Sequence, residues 1–410
     1  MGEDRKKKFQ RPIGFVFSAL AAAVFFYLLN IKELSAINFL IGLAFGITMV
    51  RGDFSFSANL RGPVLKNDYR FTYLFWQMTV ATCGGYLFIM ALENYYGVFN
   101  WDKYAAEPTQ VSPYFCVSAV IFGFGLAFLG SAGSGIIKKA INGNLGFVLA
   151  LISYCFGSVC GVVTREFIIQ FTIERTLYMP DIFGWPIAIM VQIFFFLLSF
   201  YVIQNGIKKF GEYRGEDDEG LLSILAKEEP PALRSRAAFR ELFISDIEAD
   251  RGIVFITLIM IIYFAFNQRV MGLSMPLSLF GYKVMNLIGL DVSSLFSMTG
   301  LPGSIKQNWF ENQNQMLLLG YAFGVLIVPL LKGKYRFKGI HDRYKLLIVI
   351  LGGFLVGFGV QGMYGANIGE IYGAIAMFSF SGWLVIPFAL LGVFLGKPVY
   401  EYLSKKYFEE

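Results

Sequence analysis

The sequence is poor in the residues that build catalytic and metal sites. It has one histidine, His341, and its four cysteines, Cys83, Cys116, Cys155 and Cys160, lack the CxxC or Cys/His spacing of a metal site. It contains no Ser/His/Asp series, phosphate-binding loop or HExxH motif. These absences argue against hydrolases, metalloenzymes and nucleotide-dependent enzymes. We therefore expect no catalytic residue, no metal and no cofactor.

Charged residues are also scarce, at 16% of 410 residues, whereas 56% of the residues are hydrophobic and 17% are aromatic. This composition excludes an ordinary soluble domain and is typical of a polytopic membrane protein, with a membrane enzyme acting on lipids as the enzymatic alternative. We predict an all-α polytopic membrane protein of about ten spanning helices. The apolar stretches lie at 12–31, 34–50, 71–92, 112–131, 145–163, 184–203, 252–266, 315–331, 344–361 and 382–397.

The net charge of +6 comes from basic residues in short stretches beside the apolar ones. This distribution orients a membrane protein and does not indicate nucleic-acid binding. Basic stretches at both termini, 51–70, 208–251 and 331–345 alternate with stretches poor in Lys and Arg at 93–111 and 267–314. With the basic stretches in the cytoplasm, both termini are cytoplasmic. We expect the chain in the inner membrane of a prokaryote.

A glycine-rich stretch occurs twice in the chain. GFGLAFLGSAGSG at 123–135 has a counterpart in GFGVQGMYGANIG at 357–369, at an offset of 234 residues. A weaker match pairs two other apolar stretches, which end near Arg51 and Arg269. The identical residue pairs at the offset of 234 include Gly123 with Gly357, Gly125 with Gly359, Ala132 with Ala366, and Gly135 with Gly369.

The repeat predicts the organisation of the membrane domain. We predict two five-helix repeats, 1–183 and 184–410, with a cytoplasmic linker at 205–251 that interrupts the second. Because five is odd, the two repeats enter the membrane in opposite directions. Each glycine-rich stretch is followed by about ten less regular residues, which predicts re-entrant loops at 131–144 and 364–380.

The glycine-rich stretches are also the predicted site. Small residues let helices pack closely, which explains any single glycine. A broken helix, however, leaves free backbone N–H groups and a positive dipole end, and both favour an anion. We therefore predict a substrate pathway lined by Ser55, Ser131, Ala132, Gly133, Ser134, Gly135, Gly365, Ala366, Asn367 and Gly369.

Three charged residues are candidates for charge steering or coupling. Arg51 and Arg269, as repeat partners, would attract an anion to the two mouths of the pathway. Snorkelling of the two side chains to the membrane interface is the alternative. Glu370 follows the second stretch and is a candidate for proton coupling, with a solvated vestibule position as the alternative.

Three segments resemble signatures of the YeeE/YedE family of bacterial and archaeal membrane proteins. They are GFGLAFLGSAGSGIIKKAINGNLG, GANIGEIYGAIAMFSFSGW and RGDFSFSANLRG, which together cover both halves of the chain. The resemblance implies a permease for a small inorganic sulfur-containing anion such as thiosulfate. Family members carry cysteines in these signatures that are thought to pass thiosulfate along the pore. Here Ser55, Ala132 and Ala366 stand at those positions, so the resemblance implies the class of transporter more firmly than the substrate.

The alternative function is that of a non-transporting membrane subunit. In that case the 205–251 linker docks a cytoplasmic sulfur-carrier protein or a regulatory protein. The mixed charges of the linker are equally typical of a solvated surface.

Overall fold

The computed structural model describes residues 3–99, 110–171, 175–210, 245–287, 289, 308–339, 343–363 and 367–407. These residues are almost entirely helical. In chain order the helices are α1 (Glu3–Ile31), α2 (Glu33–Arg51), α3 (Ala58–Arg61), α4 (Arg70–Tyr95), α5 (Pro113–Leu129), α6 (Gly133–Ile141), α7 (Leu145–Ile169), α8 (Met179–Phe183), α9 (Trp185–Phe210), α10 (Ala249–Asn267), α11 (Ser274–Leu287), α12 (Gln313–Lys332), α13 (Arg343–Gly362), α14 (Ala374–Ala376) and α15 (Phe380–Tyr407).

Ten spans within the described ranges are long and apolar enough to cross a membrane. They are α1, α2, α4, the pair α5 and α6, α7, α9, α10, α12, α13 and α15. This confirms the predicted all-α fold and the number of spans. The remaining regular elements are short. They include π-helical turns at Gly62–Lys66 and Asn367–Gly373, a 3₁₀ turn at Trp309–Glu311, and an antiparallel pairing of β1 (Gln110–Val111) with β2 (Arg175–Thr176).

Local sequence explains where several of the spans begin and end. The Ser112 side chain caps α5 by accepting from Phe115 N, and a proline follows at the first helical position, where its missing N–H costs nothing. Asn312 caps α12 in the same way, and Gly333, at φ +69°, ends α12 in the left-handed conformation that favours glycine.

The loops that the sequence predicts to be cytoplasmic meet on one face of the bundle. We call this the basic face and define it by loops 52–69, 142–144, 245–248 and 333–339. The cytoplasmic position of this face stays a prediction from the positive-inside rule. Three hydrogen bonds hold the face together: Gln10 Nε2 donates to Tyr335 O (2.9 Å), Arg51 Nε to Ser245 O (2.7 Å) and Lys338 N to Gly143 O (2.8 Å).

Part of the predicted linker at 205–251 lies on the basic face. Residues 211–244 are outside the described residues, but 245–248 lead into α10. Asp246 accepts a hydrogen bond from the Lys332 ammonium at the end of α12, and this contact lowers the pKa of Asp246 below its usual value. The described end of the linker is therefore attached to the bundle.

Loops from both halves of the chain also meet on the opposite face. Gln268 Nε2, just after α10, donates to Glu93 Oε1 near the end of α4 at 2.8 Å. Met179 N donates to Phe378 O at 3.0 Å, which joins the start of α8 to the turn before α15.

Glycines let the central helices pack with their backbones in contact. A Cβ at Gly123, Gly392, Gly157 or Gly357 would lie 2.0–2.1 Å from a carbonyl oxygen of the facing helix. These glycines join α5 to α15 and α7 to α13. Such close approach is how transmembrane helices associate, because lipid offers no hydrophobic driving force between them. Gly123 and Gly357 of the repeated stretches are therefore packing residues.

Candidate functional site

The first glycine-rich stretch interrupts a span. Helix α5 ends at Leu129 and α6 begins at Gly133, with three non-helical residues between them. Gly130 ends α5 at φ +66°, and a Cβ at this position would lie 2.6 Å from the Arg61 guanidinium. A glycine is thus required at the break by both its backbone conformation and its neighbour.

The start of α6 has the features of an anion site. Its N-cap, Ala132, has no side chain that could accept from the first turn, so the N–H groups of Gly133, Ser134 and Gly135 have no partner within the helix. The Ser131 hydroxyl is fully buried and has no hydrogen-bond partner among the described residues. These groups lie at the positive end of a nine-residue helix.

Two tyrosines pack against the first turn of α6. The Tyr154 hydroxyl, from α7, lies 3.5 Å from the position that a Cβ on Gly133 would occupy. Tyr321, from α12, donates its hydroxyl to Ser134 O at 2.8 Å and fixes the first turn of α6. Both tyrosines are fully buried. The first turn of α6 is therefore contacted by side chains from α7 and α12.

The loop after α2 lies against the first stretch. The Ser55 hydroxyl is 2.8 Å from that of Ser57, and Ser57 in turn donates to Gly130 O at 3.0 Å. Lys138 of α6 donates to Asp53 Oδ1 at 2.9 Å and to Phe54 O at 2.8 Å. The structure thus places the predicted pathway residue Ser55 near the break. Lys138 holds the loop against α6 through its two hydrogen bonds.

Sequence reasoning missed Arg61, on α3. Its guanidinium donates to Ala127 O at 3.3 Å and lies 5.5 Å from the centre of the Tyr400 ring. Within the described part of the chain it pairs with no carboxylate. Lys139 is close enough to Arg61 for the two charges to interact, so two cations lie on the basic-face side of the break. The position of Arg61 in the RGDFSFSANLRG segment was the sequence signal that could have identified it.

The second stretch is described only in part. Gly365, Ala366 and the side chains of Asn367 and Glu370 lie outside the described residues. At Gly369, inside the π-helical turn, the nearest atoms to a built Cβ belong to the loop after α10 and are 3.7–3.8 Å away. A Cβ at Gly369, like one at Gly133, would therefore meet only ordinary van der Waals contacts.

Arg51 and Arg269 have different surroundings. Arg51 is 8% exposed and donates to Ser245 O at the basic face. Arg269 is exposed, on the opposite face. The two residues thus lie at opposite faces of the bundle, and their role in attracting an anion stays a prediction.

Ten apolar spans in the described part of the chain, one of them interrupted at residues 130–132, define the class: this is a multi-pass membrane protein. The family model described as Sulphur transport matches residues 51–395. The chain therefore belongs to that family, and the resemblance to the YeeE/YedE family is confirmed. It is also similar to the thiosulfate transporter TsuA of Escherichia coli (strain K12), with 24% identity over 368 residues, which cover 86% of this chain and 90% of that protein.

Proposed function

We propose that this protein carries a small sulfur-containing oxyanion of the thiosulfate class across the membrane. Its family and the named activity of its relative support this class of substrate. The observation that carries the proposal is the break before α6, where amides without a helix partner lie close to the buried Ser131 hydroxyl. Free amides at a helix N-terminus favour an anion, which supports this break as the binding site.

Recognition in this proposal depends on backbone groups. The family's cysteines are replaced at Ala132 and Ala366, whose methyl groups form no hydrogen bond. The amides of Gly133 and Gly135 and the Ser131 hydroxyl donate to the oxygens of the anion instead. A helix N-terminus carries roughly half a positive charge, which partly neutralises the anion away from water. Arg61 attracts the anion to the basic-face side of the site.

We also propose the inverted repeat, with re-entrant elements that line one passage. The packing of the spans supports it. If the two halves are exchanged, α5 corresponds to α13 and α7 corresponds to α15. The contact of α5 with α15 then corresponds to the contact of α13 with α7. Both contacts are extensive. The contacts of α2 with α12 and of α10 with α4 are related in the same way.

A growth experiment tests the proposed function. The protein is expressed in a bacterial strain that lacks its own sulfate and thiosulfate uptake, with thiosulfate as the sole sulfur source. We expect growth to be restored. Expression without growth on thiosulfate, sulfite, sulfate or selenium oxyanions would contradict the proposal and favour a non-transporting subunit that docks a sulfur-carrier protein.

Replacing Arg61 by glutamine is expected to raise the KM for thiosulfate uptake about tenfold with a smaller change in the maximal rate, because the residue attracts the anion. Arg61→Lys keeps the charge and should restore most of the affinity. Lys208→Gln removes an exposed cation at the basic-face end of α9 and serves as the control. A KM for Arg61→Gln equal to that of the control would remove Arg61 from the pathway.

A cysteine at position 132 is expected to react with a small membrane-permeant maleimide, and thiosulfate should slow the reaction. The chain used has its four native cysteines replaced by alanine, because Cys160 is exposed. Ala119→Cys, in the packed part of α5, is the matched buried control. Equal and substrate-independent labelling at positions 132 and 119 would show that Ala132 lies outside the pathway.

A further inference from the structure

An apolar groove runs along the outside of the bundle between α7 and α13. Its volume is about 610 Å³. The lining side chains repeat at the i, i+3, i+4, i+7 spacing of one helix face, from Leu149 on α7 and from Leu347 on α13. Five of the eight are exposed, with Leu347 at 62% and Leu351 at 55%, so the groove is open on the side away from the protein.

The two helices are parallel. Gly157, Gly353 and Gly357 hold them in backbone contact behind the groove, where a Cβ at Gly353 would lie 2.5 Å from Ala150 O. The groove is about 10 Å long, from the rise of a helix over seven residues. It therefore lies within one leaflet of a hydrocarbon core about 30 Å thick.

Positive charge collects at the end of the groove that lies at the basic face. Both helices begin there, so two positive dipole ends point to the same region. Lys338 is exposed, and its backbone carbonyl accepts from Leu145 N, at the first residue of α7 (3.0 Å). Lys139 lies 4.5 Å from the centre of the Phe147 ring on the first turn of α7.

Aromatic side chains complete this end. Phe337 is 79% exposed, beside Lys338, and Tyr344 is 47% exposed, one turn before Leu347 on the groove face of α13. Exposed aromatic residues next to lysines are typical of the level of lipid headgroups. The groove thus combines an apolar slot in one leaflet with a cationic mouth at the interface.

We propose that this groove binds an anionic phospholipid, with one acyl chain between α7 and α13 and the phosphate at Lys338. Charge complementarity selects this occupant over a neutral lipid, because basic pockets between spans attract anionic headgroups. A second copy of the chain would place its own basic face against this cationic mouth, which like-charge repulsion disfavours.

Native mass spectrometry of the full-length, delipidated protein tests the proposal. The probes are phosphatidylglycerol, which is anionic, and phosphatidylcholine, which is neutral. We expect one retained phosphatidylglycerol per protein and at least tenfold weaker retention of phosphatidylcholine. Equal retention of the two lipids would overturn the proposal, as would a dimer that forms through this face and excludes lipid.

Two variants locate the site. Lys338→Glu should weaken phosphatidylglycerol binding about 25-fold, because it changes the interfacial charge by two and each charge contributes about a factor of five. Lys208→Glu makes the same change elsewhere on the basic face and should have little effect. Leu351→Trp should fill the groove and displace the lipid, whereas Leu395→Trp, at an exposed position on α15, should not. Unchanged binding in both Lys338→Glu and Leu351→Trp would refute the site.

Discussion

Replacing Gly135 by leucine is expected to abolish transport while the protein stays folded. A Cβ on Gly135 would lie 3.3 Å from the Ser131 hydroxyl oxygen, and a leucine would extend across the first turn of α6, where the proposed anion meets the backbone. Alanine adds only the Cβ, so Gly135→Ala should keep much of the activity. The initial rate of labelled thiosulfate uptake and the thermal unfolding of the purified protein measure the two effects.

The matched control for this substitution is Gly84→Leu. Gly84 is exposed on α4, and a Cβ there meets no atom within 4 Å. We expect Gly84→Leu to transport normally. The same test in the second stretch is Gly369→Leu, because a Cβ at Gly369 meets no atom closer than 3.7 Å. Normal transport by both Gly135→Leu and Gly369→Leu would show that neither glycine lines the pathway.

The substitution Gly357→Ala is expected to have a large effect on stability. A Cβ on Gly357 would lie 2.1 Å from the carbonyl oxygen of Tyr154, so α7 and α13 must move apart. Overpacking of this kind costs about 1–3 kcal/mol. Thermal unfolding of the purified protein, followed in detergent, should show a lowered midpoint.

Gly133→Ala is the matched control for Gly357→Ala. The nearest atom to a Cβ at Gly133 is the Tyr154 hydroxyl oxygen at 3.5 Å, which is an ordinary contact. We expect its midpoint to stay near that of the unchanged protein. If Gly357→Ala unfolds at the same temperature as Gly133→Ala, the helices are not held together by the glycines as described.

The spans could be predicted from sequence because each depends mainly on its own length and apolarity. Even the short stretch 252–266 corresponds to a complete span, Ala249–Asn267. Helix α11, in contrast, lies in the stretch 267–314, which contains none of the apolar stretches that predict a span. It is short and carries several polar residues, but it is buried through contacts such as the 2.7 Å separation of the Ser278 and Ser158 hydroxyls. Its burial depends on distant helices, which local hydropathy does not report.

The glycine-rich stretches illustrate the same limit at the site. In the sequence alone, all glycines of these stretches are equivalent. Close packing of helices and an anion pathway each explain them. The structure separates Gly123 and Gly357, which contact a facing backbone, from Gly133 and Gly369, where a Cβ would meet only ordinary contacts. The distinction depends on what lies opposite each glycine. For the same reason the pairing of Lys138 with Asp53, 85 residues away, could not be predicted.

The most direct test of the central claim is thiosulfate uptake by the purified protein in liposomes. We expect saturable uptake of labelled thiosulfate that excess unlabelled thiosulfate inhibits and excess chloride does not. The same preparation with Gly135→Leu should be inactive, and Gly84→Leu should be active. Uptake equal to that of protein-free liposomes, in a preparation shown to be folded, would contradict the account.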